Sequence, residues 1–248
     1  MNNRVIIVGA SSGLGRRLAE LYAEEGWKVG VIARREDLLK QLSEKFPGKI
    51  SYTRADIGKD DIIDKLKELI DKINGSDLVI LSASIVKFNP EFLPEHELET
   101  VSTNVKGFTN VLNFSYSYFK NQGCGQIAAI TSFAATRGNK MAPAYNASKA
   151  FQSNYLEGLR IKAKYENKKI TVTELVPGYF DSEMGRGDRL FWVASVDKAA
   201  KQVQKAIRRK KAKVFITKRW RLIHLVLKFL PIFIYDPLVN GSWKLKRK

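Results

Sequence analysis

The chain has 248 residues, of which 44% are hydrophobic, so it is long enough to bury one sizeable core and suits a single domain. Its only cysteine, Cys124, excludes an intramolecular disulfide and favours a reducing compartment. The net charge of +18 suggests a nucleic-acid partner. Residues 199–248, however, hold fifteen Lys and Arg and the single acid Asp236, a charge of +14, so the first 198 residues carry only +4.

The first predicted strand runs directly into a glycine-rich turn and a helix. Residues 5–15 read VIIVGASSGLG, in which a β-branched apolar run is followed by glycines at 9, 13 and 15. Glycine at these positions lets the backbone approach a pyrophosphate, and serine hydroxyls lie beside the positive end of the helix dipole. The turn is either an ordinary strand-to-helix connection or a phosphate site formed by Gly9, Ser11, Ser12, Gly13, Leu14 and Gly15.

The second predicted strand, Lys28–Ala33, ends in two arginines, Arg34 and Arg35. In a dinucleotide-binding fold, a carboxylate at this point accepts a hydrogen bond from the ribose 2′-hydroxyl, whereas an arginine pairs with a 2′-phosphate. The sequence therefore favours NADP(H) over NAD(H). The alternative is that both arginines pair with acids of the exposed helix predicted at 36–46.

Strands and helices alternate along the rest of the body, which predicts a doubly wound α/β fold with a parallel sheet and helices on both faces. One long helix is predicted at 95–121; it contains Asn104, and Gly107 weakens its helical pattern. Further strands are predicted at 50–55, 77–81, 126–131, 169–175 and 213–217, and helices at 59–74, 95–121 and 196–209.

A serine, a tyrosine and a lysine follow the fifth strand. Ser132 ends that strand, and Tyr145 and Lys149 share a helix face four residues apart. A nearby ammonium, together with the positive nicotinamide of the cofactor, is expected to lower the pKa of the phenol. A serine at a strand end can donate to the same substrate oxygen. The same Y-x-x-x-K spacing also occurs at Tyr116 and at Tyr165, but neither has a strand-end serine before it.

The glycine turn, Ser132 and the Y-N-A-S-K motif at 145–149 together resemble the classical short-chain dehydrogenase/reductase family over roughly residues 4–218. The resemblance implies a Rossmann-like seven-stranded sheet and hydride transfer between NADP(H) and a carbonyl or alcohol. It also implies a small-molecule substrate and a homodimer or homotetramer. The chain departs from the family pattern in two places: Val8 replaces the usual Thr, and residues 81–84 read L-S-A-S instead of N-N-A-G, with only Ala83 matching.

The resemblance assigns roles to further residues. Asn104 would anchor a proton-relay water, Asp56 would hold the adenine amino group, and Ser182 would contact the nicotinamide carboxamide. Asp56 suits a helix N-cap equally well, and Asn104 is otherwise an ordinary polar residue. The implied catalytic set is Asn104, Ser132, Tyr145 and Lys149, and the cofactor set adds Asp56, Ser82, Ala83, Tyr145, Lys149, Pro177, Gly178 and Ser182 to the glycine turn and the two arginines.

Residues 179–192 are predicted to form a loop that closes over the substrate. Its apolar side chains, Met184, Leu190, Phe191 and Trp192, favour a hydrophobic carbonyl or alcohol, including lipid-derived ones. The alternative is that they complete the core. The two histidines, His96 and His224, predict no metal site.

We predict a catalytic domain at 1–218 and a basic, apolar helical extension at 219–248. The apolar stretch 222–235 is too short to cross a bilayer. On a helical wheel, Arg221, His224 and Lys228 form a narrow cationic stripe beside a wide apolar face. Two interpretations stay open, contact with an anionic membrane surface and packing on the same or a neighbouring subunit.

A protein that senses the cofactor without performing chemistry is the rival hypothesis, supported by the altered turn at 81–84. The intact Ser132, Tyr145 and Lys149 speak against it. Nucleic-acid binding is disfavoured, because the basic tail is also strongly apolar. The expected location is cytoplasmic, with the tail at the cytosolic face of a membrane.

Overall fold

A computed structural model describes residues 3–180 and 192–240. Seven parallel strands form one sheet in the order β3-β2-β1-β4-β5-β6-β7. This order confirms the predicted doubly wound, Rossmann-like sheet. The strands are β1 Arg4–Val8, β2 Lys28–Ala33, β3 Ile50–Arg54, β4 Leu78–Leu81, β5 Cys124–Ile130, β6 Lys169–Pro177 and β7 Lys213–Ile216.

Helices cover both faces of the sheet, because alternate strand side chains point to opposite sides. On one face, Val5 and Ile7 share a core with α1, α2 and α7, and on the other, Ile6 and Val8 share a core with α3, α5 and α6. The helices are α1 Gly13–Glu24, α2 Glu36–Lys45, α3 Ile62–Lys72, α4 Pro94–Val101, α5 Phe108–Gln122, α6 Pro143–Tyr165, α7 Val196–Arg208, α8 Trp220–Phe229 and α9 Ile232–Asn240.

The turns after β1 and β4 are joined at the point where the strand order reverses. The backbone amides of Ser82 and Ala83 both donate to the carbonyl of Val8, at 2.8 and 2.9 Å. Gly9 has a φ of +93°, and a Cβ there would lie 2.4 Å from the backbone nitrogen of Ala83. Glycine is therefore required for the two turns to meet, and the crevice that they border is where open α/β sheets bind ligands.

The helix predicted at 95–121 is interrupted. A π-helical turn, Ser102–Gly107, separates α4 from α5 and contains Asn104. The extension predicted to be helical is not one continuous helix, because α8 ends before Pro231 and α9 begins after it. Proline lacks an amide hydrogen and disfavours helical backbone in the preceding residue, which is Leu230.

Gly107 gives a stability test, because it ends the π-helical turn at the point where that turn packs on the loop after β3. A Cβ at Gly107 would meet the carbonyl oxygen of Ile57 at 2.3 Å, whereas a Cβ at the helical Gly158 would have nothing within 4 Å. Gly107→Ala is therefore expected to lower the free energy of unfolding by about 2 kcal/mol. Gly158→Ala should raise it by roughly 0.5–1 kcal/mol, because alanine favours helix.

Chemical denaturation of the two variants and the unchanged chain measures both effects. Equal stability changes in the two variants would contradict the close contact at Ile57.

Candidate active site

Three of the predicted catalytic side chains meet at the carboxyl end of β5. Ser132 follows the strand and its Oγ accepts a hydrogen bond from the Ala134 amide at 3.1 Å. Tyr145 lies in the first turns of α6, close enough to the Ser132 side chain for that hydroxyl to act on the pKa of the phenol. Lys149, one turn further along α6, is only 2% exposed. The strand end and the helix spacing therefore bring together the groups that the sequence pairs.

The Lys149 ammonium is held by a buried amide. Its Nζ donates to Gln152 Oε1 at 3.0 Å and to the Ile130 carbonyl at 3.5 Å. Gln152, 1% exposed, in turn donates from Nε2 to the Asn104 carbonyl at 2.8 Å. A continuous hydrogen-bonded path thus links β5, α6 and the π-helical turn through Gln152.

The Asn104 side chain joins the segment after β4 to α6. Its Oδ1 accepts from the Ser84 hydroxyl and from the Ile85 amide, both at 3.0 Å. Its Nδ2 donates to the Ile85 carbonyl at 2.8 Å and to Ser148 Oγ at 3.1 Å. Asn104 therefore fixes local geometry through its side chain, while its backbone carbonyl receives the Gln152 amide.

Burial controls the electrostatics of this cluster. Desolvation lowers the pKa of Lys149 to about 7, because the charged form loses its hydration. Desolvation also raises the pKa of Tyr145, and the nearby Ser132 hydroxyl opposes this only in part. In the chain alone the Lys149 ammonium bonds to Gln152 and Ile130 and lies 5.7 Å from the Tyr145 ring centroid, so the lowering of the phenol pKa by Lys149 and a bound nicotinamide stays a prediction.

The glycine turn forms a cradle suited to an anion. Arg35 Nη2 donates to Ser11 Oγ at 3.1 Å and to Ser12 Oγ at 2.5 Å, so a guanidinium lies beside both hydroxyls at the start of α1. A Cβ at Gly15 would lie 2.0 Å from the Gly9 carbonyl oxygen, so the helix starts in direct contact with the turn. Hydroxyls, a guanidinium and a helix N-terminus are the donors that a pyrophosphate requires, so the residues fit a dinucleotide.

The remaining predicted cofactor residues follow different strands, and one of them is not described by the structure. Asp56 follows β3, and its Oδ1 accepts from the Gly58 amide at 2.9 Å, so it forms a turn and is not the N-cap of α3. Pro177 ends β6, and the Gly178 amide donates to the Ile216 carbonyl at 2.7 Å. Arg34 is exposed beside Arg35. Ser182 and residues 181–191 of the predicted substrate loop lie outside the described residues.

Comparison with known proteins supplies the family. Residues 3–191 match the short chain dehydrogenase family. This chain belongs to that family. An uncharacterised oxidoreductase of Mycobacterium tuberculosis is 34% identical over 192 residues, which cover 73% of this chain and 74% of that protein. The 11-beta-hydroxysteroid dehydrogenase A of Sesamum indicum is 30% identical over 193 residues, 74% of this chain and 54% of that protein.

The short-chain dehydrogenase fold is also found in solved structures that resemble the chain. The crystal structure of a 3-ketoacyl-(acyl-carrier-protein) reductase from Brucella melitensis, complexed with NADH, gives a TM-score of 0.76 at 21% identity. The match covers 87% of this chain and 98% of that one. The family confirms the predicted enzyme class, an NAD(P)-dependent oxidoreductase acting on CH–OH and C=O groups, whereas the roles of individual residues stay predictions.

Two features of this short-chain dehydrogenase were missed from its sequence. Gln152 was not singled out, although its place three residues after Lys149 puts it on the same helix face. A buried polar side chain needs partners, and here they are the ammonium and the Asn104 carbonyl. The contact of Arg35 with Ser11 and Ser12 was also missed, because it depends on how β2 and α1 lie side by side.

Lys149 predicts a pH-dependent stability. An unfolded lysine titrates near 10.4, and the folded residue at about 7. Between these values the unfolded chain binds more protons, so the free energy of unfolding of the unchanged chain should rise with pH relative to Lys149→Met. The gain from pH 7 to pH 9 is on the order of 2 kcal/mol, with little change below pH 6.

Chemical denaturation of both proteins from pH 5 to pH 9 measures this difference, in which other titrating groups cancel. A difference that stays flat between pH 7 and pH 9 would contradict the lowered pKa of Lys149.

Proposed function

We propose that this short-chain dehydrogenase interconverts a hydrophobic carbonyl compound and its alcohol with NADP(H). The observation that carries the proposal is the contact of Ser132 with Tyr145, one helical turn from a buried Lys149, at the strand ends beside the phosphate cradle. The bound cofactor supplies the hydride and, once oxidised, a positive nicotinamide ring. Tyr145 gives a proton to the substrate oxygen or removes it, and Ser132 donates a hydrogen bond to the same oxygen.

Lys149 and Asn104 support that proton transfer. Lys149 holds the nicotinamide ribose and brings positive charge toward the phenol, while Gln152 fixes the position of its ammonium. Asn104 holds α6 and the turn at 82–85 in register, through Ser148 on one side and Ile85 on the other. Asp56 is proposed to meet the adenine, Pro177, Gly178 and Ser182 the nicotinamide, and Ser82 and Ala83 the underside of the cofactor.

The preference for NADP(H) is supported by the two arginines after β2. Arg35 already contacts the serines of the phosphate cradle, and Arg34 lies next to it at the surface. The Brucella structure of the same fold is complexed with NADH, so the fold alone does not choose between the cofactors. The choice rests on Arg34 and Arg35 binding the 2′-phosphate.

The hydrophobic substrate is supported by aromatic side chains beside Ser132. Phe133 lies 5.1 Å from Tyr179 and 4.7 Å from Trp220 between ring centroids, and Trp192 lies 6.4 Å from Trp220. The Sesamum relative is named for a hydroxysteroid, which is also an apolar alcohol. We further propose a homodimer or homotetramer in a reducing, cytoplasmic compartment, with residues 219–248 in contact with a membrane surface.

The contacts of the altered turn speak against the rival hypothesis of a cofactor sensor without chemistry. The altered residues at 81–84 have a structural role, because the Ser84 hydroxyl bonds to Asn104 and the Ser82 and Ala83 amides bond to Val8.

Removing both arginines tests the cofactor proposal. Arg34→Ala combined with Arg35→Ala is expected to raise KM for NADPH at least tenfold and to change KM for NADH less than threefold, because only NADPH carries the 2′-phosphate. The two single variants apportion the effect between the arginines. Equal losses with NADPH and NADH would contradict a 2′-phosphate site.

Removing the phenol hydroxyl tests the chemistry. Tyr145→Phe is expected to lower kcat for NADPH oxidation at least about 100-fold, measured with the best carbonyl of a panel of aliphatic, aromatic and lipid-derived ketones and aldehydes. NADPH binding, followed by fluorescence, should change little. Tyr165→Phe is the matched control, since Tyr165 has the same spacing to a lysine but is 85% exposed. Full activity in Tyr145→Phe would overturn the assignment.

A further inference from the structure

The two C-terminal helices expose a large apolar surface. Phe229 in α8 is 75% exposed and Phe233 in α9 is 74% exposed. Exposed apolar patches of this kind mark interaction sites more often than scattered single residues do. We define the outward face of α8 and α9 as Leu222, Leu225, Val226, Phe229, Ile232, Phe233, Ile234 and Leu238, all of which are exposed.

The opposite side of the same helices is fixed to the body. Trp220 is 1% exposed, and a Cβ at Gly178 would meet its ring at 2.1 Å. His224 Nδ1 lies 2.6 Å from Thr136 Oγ1, so His224 points inward and does not belong to the cationic stripe predicted for it. The Tyr235 hydroxyl donates to the Gly138 carbonyl at 2.6 Å. Because the inward side is anchored, the outward face keeps a defined orientation.

Positive charge borders the outward face. Arg221 and Lys228 are exposed, and helical spacing places both on the same edge of α8, next to Leu225. Lys218 adds a further exposed cation just before the helix. Residues 199–248 carry +14, with Asp236 as the single acid. An apolar strip with a cationic border is complementary to an anionic lipid surface.

A second copy of this face is a poorer partner. A symmetric dimer through it would bring two surfaces of the same sign together, with one carboxylate per chain in this region to offset fifteen cations. Crossing the bilayer is not supported either, because within 3–180 and 192–240 no helix is long and apolar enough to span it.

We propose that the outward face of α8 and α9 lies on the surface of an anionic lipid bilayer, with its apolar side chains among the acyl chains and its cations at the headgroups. This goes beyond the tail contact of the proposed function by naming the face, its orientation and the lipid charge. The docking itself is independent of the reaction.

The docked face adjoins the segment that links Ser132 to Tyr145. Arg137 Nη1 donates to the Leu227 and Leu230 carbonyls, at 3.2 and 2.8 Å. Asn146, next to Tyr145, donates from Nδ2 to the Arg137 carbonyl at 2.7 Å and to that of Ala134 at 3.0 Å. If the proposed function holds, the residues between Ser132 and Tyr145 therefore lie beside the docked helices, and apolar substrates are expected to reach the site from the lipid.

Vesicle sedimentation of the full chain tests the docking. The protein is expected to bind vesicles of phosphatidylcholine with 30% phosphatidylglycerol, to bind pure phosphatidylcholine at least tenfold more weakly, and to lose binding as salt rises. Phe229→Asp with Phe233→Asp should lower the partition coefficient on anionic vesicles at least tenfold. The matched control is Phe92→Asp with Leu98→Asp, two side chains outside the tail that are each 67% exposed, and it should bind as the unchanged chain does.

Two further measurements keep the outcomes distinct. Sedimentation velocity reports the oligomeric state. If the unchanged chain does not bind vesicles and the Phe229→Asp, Phe233→Asp variant loses an oligomer, the proposal is overturned in favour of a subunit contact. Equal binding to neutral and anionic vesicles would overturn the role of the cations. NADPH oxidation with a water-soluble carbonyl, without vesicles, should agree within threefold between the variant and the unchanged chain. If neither the variant nor the unchanged chain oxidises NADPH, the proposed function is refuted and the docking proposal is not affected.

Discussion

The burial of one ammonium group organises the active site. Lys149 is enclosed by β5, α6 and the π-helical turn, and the cost of removing its charge from water is offset only in part by the Gln152 and Ile130 oxygens. The same Gln152 amide holds the Asn104 carbonyl, and the Asn104 side chain holds Ile85 beside the cofactor crevice. Displacing the ammonium would therefore disturb three elements that border the site.

The strands were predictable because each depends on a local apolar pattern. Val5–Val8 and Lys28–Ala33 lie as predicted, and the pairing of Tyr145 with Lys149 follows from four-residue helix spacing. Contacts between distant elements were not predictable in this way. The π-helical turn around Asn104, the reach of Arg35 to Ser11 and the inward orientation of His224 are set by packing partners that no short stretch of sequence contains.

The electrostatics of the cluster were not predictable for a related reason. Sequence spacing placed an ammonium near the phenol and so predicted a lowered pKa for Tyr145, but it could not indicate how deeply both groups are buried or which oxygens the ammonium contacts. In the chain alone, desolvation dominates and disfavours both charged forms. The family, the fold and the enzyme class are nevertheless confirmed, because they depend on motifs at strand ends and not on such details.

The packing of Trp220 on Gly178 has a practical consequence for dissecting the protein. The indole of Trp220, the first residue of α8, packs on the turn that follows β6, so the extension and the body are in direct contact there. Cutting the chain at residue 218 would remove the indole that packs on Gly178 together with the extension, and any loss of turnover would be ambiguous. Substitutions on the solvent side of α8 and α9, which leave Trp220 in place, separate the proposed membrane contact from the chemistry.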